Sequence, residues 1–348
     1  MATTLAEPSL AERIARHVLR DDVKDWQKEI KDQLQCAIEL ELTTIPAYLC
    51  GLWSIKNKDD KKSRPAYDLI RSVVLEEMLH MALACNMLTA VGGVPTIKAP
   101  VYPTALPGGV GAGLNVRLQG LTREYVQGTY MAIEAPEIPS LPPPTTGTPV
   151  TIGAFYDVLL TRLRRHTPAL VRTSQLGDVG LGLFEIQDFA DIERAIAEIK
   201  AQGEGTTTVP GISDDPDELA HYYKFAQIVA GGELIKKGTG RWEYSKALPV
   251  PFPDVWPMAE VPKGGYAKDP GSYTVSAGVQ KQLTAFNDAY KKVLELLRDA
   301  WSPTGGGRKS LGAAVVAMKG LEKLATPLLQ EQNPKNTAQH FGPEFLAS

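Results

Sequence analysis

The sequence predicts an all-α protein, a bundle of helices running up and down around a polar centre. Three observations carry that prediction. The run from Arg71 to Leu88 has neither Pro nor Gly and is dominated by Leu, Met, Ala and Glu, the composition of a stable helix. It is apolar almost all the way round, which marks a helix enclosed by others. Yet Glu76, Glu77 and His80 sit in its middle, and an unpaired carboxylate taken out of water costs several kcal/mol. Glu77 and His80 are i, i+3 and share a helix face. The same spacing recurs in Glu218 and His221. Glu-x-x-His projecting inward from two helices is part of the ligand set of two-metal carboxylate sites in helical bundles.

A solvated i, i+3 ion pair explains most single Glu/His pairs, and it would serve for Glu218 and His221 alone. Glu77 and His80 differ because Val73, Met81, Ala84 and Met87 surround them. Only five histidines exist in the chain, and His17, His166 and His340 have no Glu three residues earlier. Taken together, the two pairs favour a shared metal.

The chain has 348 residues, 43% hydrophobic and 22% charged, with a formal net charge of −3. That is ordinary for a globular protein with one large core or two small ones. The near-neutral balance excludes a strong electrostatic footprint for nucleic acid or an anionic membrane. No apolar run is expected to reach membrane-spanning length, and the charged, amphipathic stretch from Met1 to Gln35 is unlike a signal peptide. Cys36, Cys50 and Cys85 are odd in number and lie in helical patterns, so they read as free, buried thiols of a reducing, cytoplasmic compartment. Gly305 to Ser310 resembles a phosphate loop only superficially, since Arg308 stands where the last Gly belongs and no strand precedes it.

In chain order, the first long helix covers about 24–56, with a kink expected just after Glu41 because Pro46 removes a backbone bond. Leu34, Ile38, Ile45, Tyr48 and Leu52 form its apolar stripe. Glu41 falls on that stripe and is the ligand candidate, while Glu39 falls opposite with Gln35. Tyr48, two turns beyond Glu41 on the same face, points to the same cavity or is an ordinary core tyrosine. A polar turn, Asn57 to Pro65, leads to the second helix, about 66–91, which should be antiparallel to the first. Gly92-Gly93-Val94-Pro95 ends it.

From about 93 to 149 the chain is rich in Pro and Gly, yet it keeps Val101, Tyr102, Leu114, Val116 and Leu118. An ordered lid or a long crossover is expected, interrupted by a short helix around Thr122 to Ile133. A third bundle helix spans about 151–172. A two-metal site needs a carboxylate there, but the stripe of Ile152, Phe155, Tyr156, Leu159 and Leu163 carries none. Asp157, Glu185 and Asp188 are the nearby substitutes. Asp191 to Gln202 reads as a charged surface helix and 203–215 as a flexible turn. The fourth bundle helix covers about 215–232, with His221, Phe225, Ile228 and Val229 in register. After a Pro- and aromatic-rich extended run come C-terminal helices at about 275–301 and 311–326, the second ended by Pro327. Their stripes hold no ligand types, so they serve core packing or homo-oligomer contacts.

Three motifs carry a family resemblance: Glu41-Leu42-Thr43-Thr44-Ile45-Pro46-Ala47-Tyr48-Leu49, Leu75-Glu76-Glu77-Met78-Leu79-His80-Met81-Ala82, and Glu218-Leu219-Ala220-His221-Tyr222-Tyr223-Lys224-Phe225. Together they resemble the ferritin-like family named after iminophenyl-pyruvate dimer synthases of violacein and indolocarbazole biosynthesis. The resemblance continues more weakly through Tyr102-Pro103, the helix beginning Thr151-Ile152-Gly153, and Phe286 to Tyr290. It implies one ferritin-like up-down bundle spanning 1–348, with metal held by Glu41, Glu77, His80, Glu218 and His221. It also implies Glu where this chain has Ala154, leaving room for one metal or an unequal pair.

The expected function is a metal-dependent oxidoreductase acting on a small, amino-acid-derived molecule in secondary metabolism. The oxygen-and-imidazole set suits iron, as one or two ions, or manganese. Tyr48, Tyr156 and Tyr222 are the candidate pocket walls and hydrogen-bond donors. Non-redox coupling of an imine or keto acid is the runner-up, and a non-catalytic metal-binding or scaffold protein comes from a different class. The long insertion suits a substrate pocket more than an iron-storage shell.

Overall fold

The computed structural model describes residues 25–111, 113–136, 150–205, 210–211, 218–238 and 241–347. The charged N-terminal stretch before Asp25, Pro139, Pro142 to Pro144 and most of the 203–215 turn lie outside them. The architecture is an all-α helical bundle with, among the described residues, two small two-stranded sheets at its edges.

Helix α1 (Trp26–Ser54) starts at Asp25, whose carboxylate accepts the Lys28 amide at 3.0 Å. It continues through Pro46 as one element. Tyr102 and Tyr130 donate hydroxyls to the Thr43 and Ala47 carbonyls at 2.8 and 2.7 Å, on either side of that proline. Helix α2 (Arg64–Ala90) begins with Pro65 in its first turn. Glu41 lies beside His80, and Thr44 beside Glu77, so α1 and α2 run antiparallel. An 18-residue window of α2 is apolar enough for a membrane span, with mean hydropathy 1.3, but 89% of that window is buried inside the bundle. Its apolar surface is therefore core surface.

The described part of the Pro/Gly-rich excursion, expected as an ordered lid or a long crossover, packs into the bundle. Ile97, Val110, Val116, Leu118 and Leu121 are all core residues. The segment then enters the bundle as α3 (Arg123–Tyr125), a π-helical turn (Val126–Tyr130) and α4 (Met131–Ile133). Thr122 caps α3 through its hydroxyl. This composite helix, not the one after Thr151, packs on the His221 helix. The helix expected at 151–172 is α5 (Ile152–His166); it packs against α1 and against α6 (Phe189–Gly203), which opens with a capping box of Asp188 and Asp191.

Helix α7 (His221–Ala230) is shorter than the predicted 215–232 and ends at Gly231, whose φ of 81° is the left-handed C-cap conformation. Strands β1 (Gly232–Lys236) and β2 (Trp242–Pro249) follow as an antiparallel hairpin pairing Leu234 with Tyr244. A second helical hairpin, α8 (Ala277–Ala300) and α9 (Arg308–Gln330), packs on the outer side of α1. Pro327 lies inside α9 rather than ending it, and the helix continues to Gln330. Strands β3 (Gln332–Asn333) and β4 (Asn336–His340) complete the described fold.

Asn86, fully buried on α2, staples three segments together. Its amide donates to the carbonyls of Leu176 and Phe184, both at 2.8 Å, and its oxygen accepts from the Leu176 amide and the Trp301 indole, both at 3.0 Å. Replacing it removes partners from all four buried groups at once. Asn86→Leu is expected to lower unfolding free energy by on the order of 2–4 kcal/mol in urea titration. An unchanged midpoint would show that the staple contributes nothing.

Candidate metal centre

Five ionisable side chains from four helical segments meet in the bundle interior. Glu41 comes from α1, Glu77 and His80 from α2, Glu134 from the end of α4, and His221 from the first turn of α7. Their exposures are 1%, 1%, 2%, 1% and 0% respectively. They form two overlapping groups, Glu41/Glu77/His80 and Glu77/Glu134/His221, each with ligand atoms within 4.8 Å of one another. Glu77 belongs to both. Its Oε1 lies 2.9 Å from His221 Nδ1 and 3.8 Å from His80 Nδ1, while its Oε2 accepts the Thr44 hydroxyl at 2.8 Å.

The outer nitrogens of both imidazoles are engaged. His80 Nε2 sits 2.8 Å from Gln202 Oε1, and His221 Nε2 sits 2.8 Å from Glu76 Oε2. Both partners are acceptors, so each Nε2 carries a proton and each Nδ1 faces the shared space, where a cation would displace any proton it holds. The two rings lie 5.4 Å apart with 23° between their planes. His221 Nδ1 is also 3.4 Å from Glu134 Oε2, yet it is buried without a hydrogen-bond partner. That orphaned nitrogen, surrounded by carboxylate oxygens, is what a cation would satisfy. The donor set, three carboxylates and two imidazole Nδ1 atoms, fits a divalent metal.

Further contacts hold the carboxylates. Tyr156 donates to Glu41 Oε1 at 2.5 Å, and Tyr48 donates to Glu134 Oε1. Burial and the adjacent carboxylates push both phenols well above their ordinary range, so they keep their protons and act as donors. Lys224 is itself buried and clamps Glu76 at 2.6 and 2.7 Å. Burial works to raise Glu76, but the contacts with His221 and Lys224 outweigh it and hold the carboxyl down at about 2. Without a cation, burial together with Glu134 and Glu41 pushes Glu77 up to about 7. Burial works to lower both imidazoles, yet their acidic neighbours outweigh it and raise them, His221 well above its ordinary value.

Sequence reasoning and structure differ at defined points. Glu41, Glu77, His80 and His221 are brought together, and Glu39 stays exposed, accepting from Gln35 at 3.1 Å. Glu218 is not part of the cluster: it is exposed and precedes α7, whose N-cap, Ala220, is extended. The i, i+3 relation places two side chains on one face only when both lie within a helix. The carboxylate missed was Glu134. Neither Ala154 nor its substitutes supply one: Asp157 pairs with Lys200 at 2.6 Å, Asp188 caps α6 and Glu185 is exposed. The signal was available, since Glu134 follows Met131 and Tyr130 by three and four residues as a carboxylate on an apolar face, the criterion that selected Glu41. Tyr222 is buried with its ring edge on Tyr223, and among the described residues it gives no hydrogen bond to the cluster.

A profile described as ferritin-like matches residues 34–230, more than half of the chain. The chain belongs to the ferritin-like family. A crystal structure of a ferritin-like protein from Caulobacter vibrioides is similar over 91% of this chain and 97% of that one, with 24% identity and a TM-score of 0.58; that likeness speaks to the fold. Comparison with curated proteins returns no match. The matched span, 34–230, contains all five ligand candidates. In the ferritin-like two-metal pattern, Glu from two helices joins Glu-x-x-His from two others. Here Glu41 and Glu134 would take the first role and Glu77/His80 one of the second, while α7 offers His221 without its Glu.

The pH dependence of the metal-free protein follows from these groups. Glu77, raised from 4.5 to about 7, holds its proton longer folded than unfolded, and so loses stabilisation as pH rises through that interval. The raised imidazoles stabilise below their unfolded value of 6.5 and lose that as pH rises through their folded values, the same direction. Glu76 acts oppositely, but only between 4.5 and about 2. Chelator-treated protein should therefore unfold at lower temperature at about pH 8 than at about pH 5.5, with added divalent cation closing the gap. A metal-free melting temperature that rises with pH over this range would contradict the arrangement.

Proposed function

We propose that this ferritin-like chain is a metal-dependent enzyme, an oxidoreductase acting on a small, amino-acid-derived organic molecule, with iron or manganese held by Glu41, Glu77, His80, Glu134 and His221. The carrying observation is the orphaned His221 Nδ1 among carboxylate oxygens, with its far nitrogen fixed by Glu76. Bound there, the metal would supply redox chemistry or Lewis-acid activation. Two overlapping groups around Glu77 suit one ion or two.

The chain's own residues do the rest. Tyr48 and Tyr156 orient Glu134 and Glu41 and keep hydroxyl protons beside the centre. Glu76 and Lys224 hold His221 from behind and line a polar surface pocket of about 330 Å³ with Asp68, Ser72 and Gln227. This places a solvent-facing recess within two side chains of the ligands, a position suited to a small polar reactant. The narrower assignment to the iminophenyl-pyruvate dimer synthase type, with imine or keto-acid coupling, rests on the three sequence motifs. A non-catalytic metal-binding role is the second reading, favoured by the near-complete burial of all five ligands.

Elemental analysis of protein purified without added metal decides first. We expect about one or two equivalents of iron or manganese per chain, lost in Glu77→Ala and His80→Ala while the helical circular dichroism is retained. A parent protein without stoichiometric metal near neutral pH would remove the proposal. Dioxygen uptake by the loaded parent with aromatic amino acids then separates an oxidoreductase from a passive site, which would show none.

A further inference from the structure

Which oxygen of each carboxylate faces the imidazoles decides how many cations the buried cluster can take. Glu41 Oε2 and Glu77 Oε1 each lie 3.8 Å from His80 Nδ1. Glu77 Oε1 and Glu134 Oε2 lie 2.9 and 3.4 Å from His221 Nδ1. The inward-facing atoms are therefore three oxygens, one from each carboxylate, and two nitrogens. What the two imidazoles have in common is a single atom, Glu77 Oε1.

The other oxygen of each carboxylate is held by a hydroxyl. Tyr156 donates to Glu41 Oε1 at 2.5 Å, Thr44 to Glu77 Oε2 at 2.8 Å, and Tyr48 to Glu134 Oε1. All three hydroxyl residues are fully buried. A carboxylate that joins two ions gives one oxygen to each. Glu77 is the acid shared by both groups, and its second oxygen is already committed to Thr44. The two-metal pattern of helical bundles also draws on four carboxylates. Among the described residues this cluster has three, with Glu218 exposed before α7.

The separations agree. Ligands about 2.1 Å from one ion sit about 3 Å apart when adjacent and about 4.2 Å apart when opposite. The oxygen–nitrogen distances across the cluster, 2.9 to 3.8 Å, fall inside that range.

We propose that the cluster is a one-ion site, in contrast to the two-metal pattern of its fold. A single divalent cation is taken by Glu41 Oε2, Glu77 Oε1, Glu134 Oε2 and both Nδ1 atoms. Thr44, Tyr48 and Tyr156 are positioning residues that withhold the oxygens a second ion would need. Five protein ligands leave one position of an octahedral sphere, enough for one monodentate ligand. The inference rests on the metal reading above and narrows it.

Manganese(II) alone, added to the chelator-treated full chain, tests the count. Free manganese followed by electron paramagnetic resonance should fall until one equivalent is bound, and the bound ion should give an isolated, uncoupled signal. Both imidazoles serve the same ion. His80→Ala and His221→Ala should therefore each weaken it by more than about a hundredfold, beyond the cost of losing an outer partner, with metal-free circular dichroism unchanged. Glu134→Gln, which keeps the side-chain shape, should weaken binding and leave the count at one. Thr44→Val frees Glu77 Oε2 and should admit a second, weaker equivalent, while Thr44→Ser should return the count to one. Two equivalents in the parent protein with an exchange-coupled signal, or one tight equivalent retained in both histidine variants, would overturn the inference while the metal reading stood. Failure to bind manganese(II), and iron(II) under argon, would remove the metal reading itself.

Discussion

The structure depends on the electrostatic constraint at Glu77. Its carboxylate shares a buried interior with Glu41 and Glu134, and two imidazoles turn their Nδ1 atoms toward it. At such buried positions, like charges a few ångströms apart repel more strongly than they would in water. The metal-free molecule relieves that by holding protons on Glu77 and the imidazoles; a divalent cation relieves it without them. Every element packed around the site serves that arrangement. The antiparallel α1 and α2 place Glu41 opposite His80, the π-helical turn leads into Glu134, and the start of α7 sets His221 against Glu76.

Preorganisation comes from the residues that do not face the cation. Gln202 and Glu76 fix the tautomers of His80 and His221, and Thr44, Tyr48 and Tyr156 each hold one carboxylate oxygen. Such partners orient ligands and tune their basicity. The buried Lys224 offsets the charge of Glu76, so the outer shell adds little net charge to a core already rich in carboxylates.

The sequence made the bundle legible through periodicity. α1, α2, α8 and α9 are long and strongly patterned, and the first pair carries carboxylates within an apolar stripe. What it concealed was local. The short helix around Thr122 to Ile133 was legible within 93–149, but its entry into the core is set by tertiary packing of Tyr130, Val126 and Ile133, so Glu134 went unread. The Glu218–His221 spacing mimicked a ligand pair, but the helix begins only at His221. Lys224 and Gln202 matter through contacts across 148 and 122 residues of sequence, which no local pattern encodes. The β1–β2 hairpin was likewise hidden in a run rich in Pro and aromatics.

The central claim is that both imidazoles and three carboxylates converge on one cation-binding space. Anomalous diffraction at the metal absorption edge, on crystals of the metal-loaded protein, tests it most directly. The account predicts an anomalous peak bonded to Nδ1 of His80 or His221 and to an oxygen of Glu77, with Glu218 distant. A peak ligated through Glu218, or none between the two rings in protein containing stoichiometric metal, would contradict it.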